Sequence, residues 1–198
     1  MNLILASSSE YRQSLLAKLG IPFESASADI DETRKSHETP YDLVSRLSQE
    51  KAKFVSKTKE GLIIGSDSIA TFEDGNQISD SILTKPGNHE NAVKQLRESS
   101  GKKISFLTGL SLLNTTSGNI QTIVEFYYVY FRNLTEEEIQ NYLVKEKPYN
   151  CAGSIRSEEL GISLFEKLEG NDPNALIGLP LIRLNEMLRN EGVNVLNQ

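Results

Sequence analysis

Leu62-Ile63-Ile64 is an unbroken apolar run that leads into Gly65-Ser66-Asp67-Ser68. A strand with one wet face alternates apolar and polar residues, whereas an uninterrupted run belongs to a strand covered on both faces. Leu3 to Ala6 is a second short apolar run, and it turns abruptly into Ser7-Ser8-Ser9-Glu10-Tyr11-Arg12, as a buried strand does when it feeds a helix. Strands of this kind interleaved with amphipathic segments predict an α/β chain with helices on the faces of its sheet.

The remaining elements follow from the same signals. A helix from Ser9 to Gly20 puts Leu15, Leu16 and Leu19 in the core, and Pro22 to Ser25 reads as a short strand. Residues 27–38 lack apolar periodicity and form a loop carrying Asp29, Asp31 and Glu32. Thr39-Pro40 opens a helix, cap followed by proline, whose stripe of Leu43, Leu47, Ala52 and Phe54 or Val55 runs toward Lys57. Asp74-Gly75 signals a turn, and the chain returns from it to present Lys85 before Pro86. A helix over Asn88 to Ser99 precedes two long β runs, 103–114 and 121–132, expected to pair antiparallel across Thr115-Thr116-Ser117-Gly118. Thr135 and Glu138 make a capping box for a helix reaching Lys145, and Pro180 to Asn190 is the last helix. With no repeat, low-complexity stretch or linker, residues 1–198 read as one domain.

Composition excludes several classes. The balance of 27 acidic against 21 basic residues, without a long basic run, argues against a polymeric nucleic acid as partner. Cys151 is the only cysteine, so neither an internal disulfide nor a cysteine metal cluster is available. No segment approaches the roughly 20 apolar residues of a membrane helix, and a soluble cytoplasmic protein is expected. His37 and His89, the two histidines, lie in polar contexts and read as surface residues. A catalytic metal would therefore be held by carboxylates, which suits a hard divalent ion.

Four features bear on chemistry. Free N–H groups at a helix start, seryl hydroxyls and Arg12 are suited to a phosphate. Asp67 follows the buried strand, the acidic loop can deliver a carboxylate to a metal, and Lys51 and Lys85 can meet phosphates. Each has a plainer counterpart: a capped helix with Arg12 in solvent, a turn-forming aspartate, a solvated loop and surface lysines. Together they are the combination that phosphoryl and nucleotidyl transfer to water requires.

In order along the chain, Ser9-Glu10-Tyr11-Arg12, Asp31-Glu32-Thr33, Glu50-Lys51-Ala52, Gly65-Ser66-Asp67 and Thr84-Lys85-Pro86 resemble the motifs of the Maf nucleotide pyrophosphatases. The resemblance runs from Leu3 to about Gly192. Within it, the segment from Asn150 to Glu158, Glu169-Gly170-Asn171-Asp172-Pro173-Asn174 and Gly178-Leu179-Pro180 are similar to the branch acting on 7-methyl-GTP rather than on dTTP and UTP. The resemblance implies a Maf/ITPase-like α/β fold, with an elongated mixed sheet flanked by helices, two lobes around a deep cleft, and a homodimer. It implies hydrolysis of a nucleoside triphosphate to monophosphate and pyrophosphate, supported by a divalent cation (Mg, Mn or Co). Carried over by position, Asp67 is the base for water, Glu32 joins it at the metal, and Ser7, Ser8, Arg12, Lys51 and Lys85 hold the triphosphate. Tyr11, Ser68 and Glu158 are the base-reading positions. There the sequence departs from the branch, which looks like tryptophan at Tyr11 and glutamine at Ser68, and the segment from Asp67 to Lys85 is longer than that branch leads one to expect. Two other readings stay open: a dTTP, UTP or CTP pyrophosphatase of the same family, and a nucleotide-binding division regulator, since the family was associated with septum formation.

Overall fold

The computed structural model describes residues 2–74 and 77–197. Of the expected Asp74-Gly75 turn, Gly75 lies outside the described residues. The strands form a seven-stranded mixed sheet flanked by helices. The chain divides into two compact units, Met1–Ser68 with Leu107–Glu125 and Asp172–Gln198, and Ile69–Phe106 with Phe126–Asn171.

In the first unit, β1 (Leu3–Leu5) pairs parallel with β2 (Glu24–Ser25) and with the start of β3 (Leu62–Asp74), Leu3 opposite Leu62 and Leu5 opposite Ile64. Successive side chains on a strand alternate faces, and both faces here are apolar. Leu3, Leu5, Leu62, Ile64, Leu110 and Leu112 pack with Leu15 and Leu16 of α1 (Glu10–Ala17) and with helical residues Leu184, Met187 and Leu188 nearer the C-terminus. Ile4, Ala6, Ile63 and Leu113 pack instead with Ala52 and Val55 of α2 (Pro40–Val55). The double cover explains why these strands read as unbroken apolar runs. Thr39 caps α2, accepting from the Asp42 amide at 3.1 Å, with Pro40 in its first turn.

The chain's punctuation misleads at one point. Gly65-Ser66-Asp67-Ser68 reads as the exit from a strand, yet β3 continues through it, so Asp67 lies within a strand. Gly65 is there for contact rather than for a turn. A Cβ on it would lie 2.0 Å from the Ser48 carbonyl oxygen, and one on Gly109 would lie 2.1 Å from that of Val44. The missing methyls let the backbone of α2 settle directly on the sheet.

The second unit holds the far end of β3, antiparallel to β4 (Gln77–Leu83), then α3 (His89–Ser99) with its Asn88 cap. The two long β runs are β5 (Lys103–Asn114) and β6 (Ile120–Phe131), neighbours in the sheet whose short connection requires them to be antiparallel. The capping box of Thr135 and Glu138 opens α4 (Glu136–Glu146), which packs on α3. β7 (Phe165–Gly170) pairs antiparallel with β6 and has no apolar run to announce it. His89 corrects a sequence expectation. It is half-buried, its ring nitrogens 3.1 Å from the Tyr149 hydroxyl and 2.8 Å from Gln140 Oε1. His37 is exposed, as expected.

Back in the first unit, the four-residue α5 (Asn174–Ile177) precedes α6 (Leu181–Asn190). The fully buried Asp172 serves both: Oδ1 accepts from the Asn174 amide at 2.9 Å and Oδ2 from the Ile182 amide at 2.7 Å.

Candidate active site

With α2 pressed onto β3 by the absent side chain of Gly65, Lys51 on the helix reaches Asp67 on the strand. Its Nζ lies 2.6 Å from Asp67 Oδ1 and 2.7 Å from Glu32 Oε1. The lysine and aspartate side chains are 9% and 12% exposed, whereas Glu32, delivered by the acidic loop, is 58% exposed. One ammonium thus faces two carboxylates, and its contact with Asp67 is shielded from bulk water, which makes it stronger than such a contact at a surface. Asp67 Oδ2 accepts no hydrogen bond among the described residues, which leaves it for a water.

Arg12 enters from the first turn of α1. Ser9 is the helix cap, accepting from the Arg12 amide at 3.5 Å. The half-buried guanidinium donates from Nε to the Gly178 carbonyl at 2.9 Å and from Nη2 to the Ser68 hydroxyl at 3.3 Å. Burial, the largest cause, pulls the Arg12 pKa below its ordinary value, and the charges of Asp67 and Glu32 pull the other way. An arginine remains protonated under both influences. Two of its five N–H donors are engaged in these contacts, and the rest can serve an anion.

Gly178, Ser66 and Thr108, which surround the contacts of this arginine, were given no individual role in the sequence reading. Gly178 has φ +119, a backbone region that favours glycine, and a Cβ there would stand 3.3 Å from Arg12 Nε. Ser66, fully buried, has its hydroxyl 2.9 Å from the same Gly178 oxygen and 2.9 Å from that of Gly109. Thr108 lies 3.0 Å from the Ser68 hydroxyl and 2.8 Å from the Ala175 carbonyl. The available signal was hydroxyl residues embedded in otherwise buried strands, where each must find a partner.

The seryl positions separate. Ser7 is buried and its Oγ accepts from the Ser9 amide at 3.1 Å, while Ser8 is exposed. Both precede the cap, so neither lies on the helix that carries Arg12. Tyr11 is 37% exposed on α1.

Lys85 and Glu158 belong to the second unit. Lys85 is exposed on a braced segment: the Thr84 carbonyl accepts from Gln95 Nε2 at 2.9 Å, and the Gly87 amide donates to the Tyr149 carbonyl at 3.0 Å. Glu158 lies 3.9 Å from Arg156 Nε, and its Oε2 is 3.3 Å from the Ser157 hydroxyl.

Among the described residues no three His, Cys, Asp or Glu side chains gather as a metal cage. Glu32 and Asp67, drawn to one ammonium, nevertheless fit a hard divalent ion of the kind that takes one or two carboxylates and completes its shell with phosphates and water.

Comparison with known proteins places the chain among relatives along almost its whole length. The model of the Maf-like protein family matches residues 2–191. A 7-methyl-GTP pyrophosphatase of Nitrosococcus oceani is 54% identical over 195 residues, covering 98% of this chain and 95% of that one. The 7-methyl-GTP pyrophosphatase of Pseudoalteromonas translucida is 52% identical over 196 residues, covering 98% and 94%. A looser match, with TM-score 0.45 and 14% identity, is the nucleoside-triphosphatase / dITP/XTP pyrophosphatase structure from Mycobacterium abscessus, covering 68% of this chain and 76% of that one.

Proposed function

Because the chain belongs to the Maf family, we propose that it is a nucleotide pyrophosphatase hydrolysing 7-methyl-GTP to 7-methyl-GMP and pyrophosphate. The observation that carries this reading is the buried Lys51 shared by Asp67 and Glu32, in a chain more than half identical to relatives bearing that name. In the proposed reaction Asp67 Oδ2 accepts a proton from a water as its oxygen bonds to the α-phosphorus. The bond from that phosphorus to the bridging oxygen breaks, and its electron pair leaves with pyrophosphate. Charge accumulates on the departing oxygens, so fixed cations contribute most. Lys51 and the unengaged N–H groups of Arg12 are such cations, held in place before substrate arrives. A divalent ion, when bound by Glu32 and Asp67, supplies further neutralisation of the phosphates.

The same reading gives Lys85 and the hydroxyls of Ser7 and Ser8 to the phosphates. A 7-methylguanine ring is cationic, which suits the exposed face of Tyr11 and the carboxylate of Glu158. It also carries the family expectation of a homodimer, which light scattering on the purified protein tests. The function is tested with a panel of triphosphates in Mg²⁺, Mn²⁺ or Co²⁺. Pyrophosphate is released fastest from 7-methyl-GTP. A clear preference for dTTP, UTP or CTP overturns the choice of base, and tight binding without product in any metal points to a nucleotide-binding regulator.

A further inference from the structure

We propose that Thr108 is a positioning residue for Arg12, acting through the hydroxyl of Ser68. Donor and acceptor capacities limit how the chain can run. Arg12 can only donate, and the Ala175 carbonyl can only accept. Between them stand two hydroxyls with one proton each, Ser68 at 3.3 Å from Arg12 Nη2 and Thr108 at 3.0 Å from Ser68 and 2.8 Å from the Ala175 oxygen. Thr108 Oγ1 is placed to donate to the Ser68 oxygen or to the Ala175 carbonyl, and the Ser68 oxygen also accepts from Arg12 Nη2, so the buried threonine and the arginine converge on one hydroxyl. Thr108 is fully buried, so water cannot take over its part.

The chain does more than fill hydrogen bonds. Gly178 fixes the guanidinium at Nε and Ser68 fixes it at Nη2, so the plane is held at two points and its remaining N–H groups keep one direction. Chains of polarised hydrogen bonds also strengthen one another. Ser68 is thereby committed to the arginine. This inference rests on the reading of Arg12 as a phosphate ligand, and it adds a residue that touches no substrate.

The test compares Thr108→Val, which keeps the shape and removes the hydroxyl, with Thr108→Ser, which keeps the hydroxyl, in pyrophosphate release and thermal unfolding. Thr108→Val lowers kcat/KM about tenfold, the loss expected when a single hydrogen bond that orients a charged group is removed. Thr108→Ser stays within about twofold of the parent, because its hydroxyl still reaches Ser68 and Ala175. In an Arg12→Lys background, which lacks the planar fork, the valine substitution has little further effect, the non-additivity of residues acting through one another. An active parent with Thr108→Val unchanged overturns the proposal, as does an equal loss in both backgrounds. An inactive parent on every triphosphate overturns the function and the inference together. If Thr108→Val does not fold, Ser68→Ala breaks the same chain in its middle and carries the same expectations.

Discussion

Two cations of α2, Arg46 and Lys51, both capture carboxylates from the acidic loop before the helix, and they do so in opposite ways. Arg46 grips both oxygens of Glu38, at 2.6 and 2.9 Å, and holds Glu50 at 2.9 Å and the Thr33 carbonyl at 3.1 Å. The Lys35 amide adds a further bond to Glu38 Oε2 at 2.9 Å. Lys51 is a compact charge between two carboxylates, one of which keeps an oxygen without a partner among the described residues. The first cluster is saturated and acts as a staple for the loop. The second neutralises charge but leaves bonding capacity open, which is what a reacting water and a phosphate need.

The largest effect that can break this contrast is at Asp67. Asp67→Asn keeps the size of the side chain and removes the base, so pyrophosphate release falls about 10³-fold, within the range that a general base contributes, while the unfolding midpoint changes little. Turnover at the parental rate in a folded Asp67→Asn protein would remove the distinction between the clusters. Lys51→Met follows: it lowers turnover at least about 100-fold and destabilises the fold by roughly 3 kcal/mol at neutral pH, because the Asp67 carboxylate stays buried without its cation. Chemical denaturation of the parent and the variant at neutral pH checks it.

Arg46→Met is expected to do the reverse, costing about 2 kcal/mol of stability through lost charged hydrogen bonds and less than about fivefold in kcat. A loss of turnover as severe as that of Lys51→Met, in a protein of normal stability, merges the two clusters into one site. The smallest effect is in acid. Arg46 holds the Glu38 carboxyl well below the ordinary glutamate value of 4.5, at about 2. A depressed carboxylate contributes stability that is complete above its unfolded pKa and lost as pH falls through its folded one. Denaturation midpoints of the parent therefore decline between those two values, and Glu38→Gln flattens that part of the curve.

What could be read from the sequence was whatever depends on neighbours along the chain. The cap at Thr39-Pro40, the box at Thr135 and the apolar run at Leu62 each specify their element locally, and each is present. The strand was expected to end at Gly65, yet β3 runs through it, and the missing side chain serves the close approach of the α2 backbone. β7 escaped because its mostly polar, exposed residues carry no apolar alternation. In the candidate site, the residue types Asp67, Lys51, Glu32 and Arg12 were identified from motifs, but their partners were not. Arg12 binds a carbonyl 166 residues away, and a main-chain oxygen has no sequence signature.

Asp172 gives the site a property that belongs to motion rather than to charge. A helix of four residues such as α5 does not persist alone, yet its first amide and the early Ile182 amide of α6 end on the same buried carboxylate. Opening either one exposes the carboxylate that closes the other. In hydrogen exchange, α5 therefore behaves as an extension of α6. The amides of Asn174 and Ile182 open in one event, and the Gly178 amide, bonded to the Asn174 carbonyl at 3.1 Å, exchanges with them. The oxygen that holds Arg12 inherits the slow clock of the longer helix.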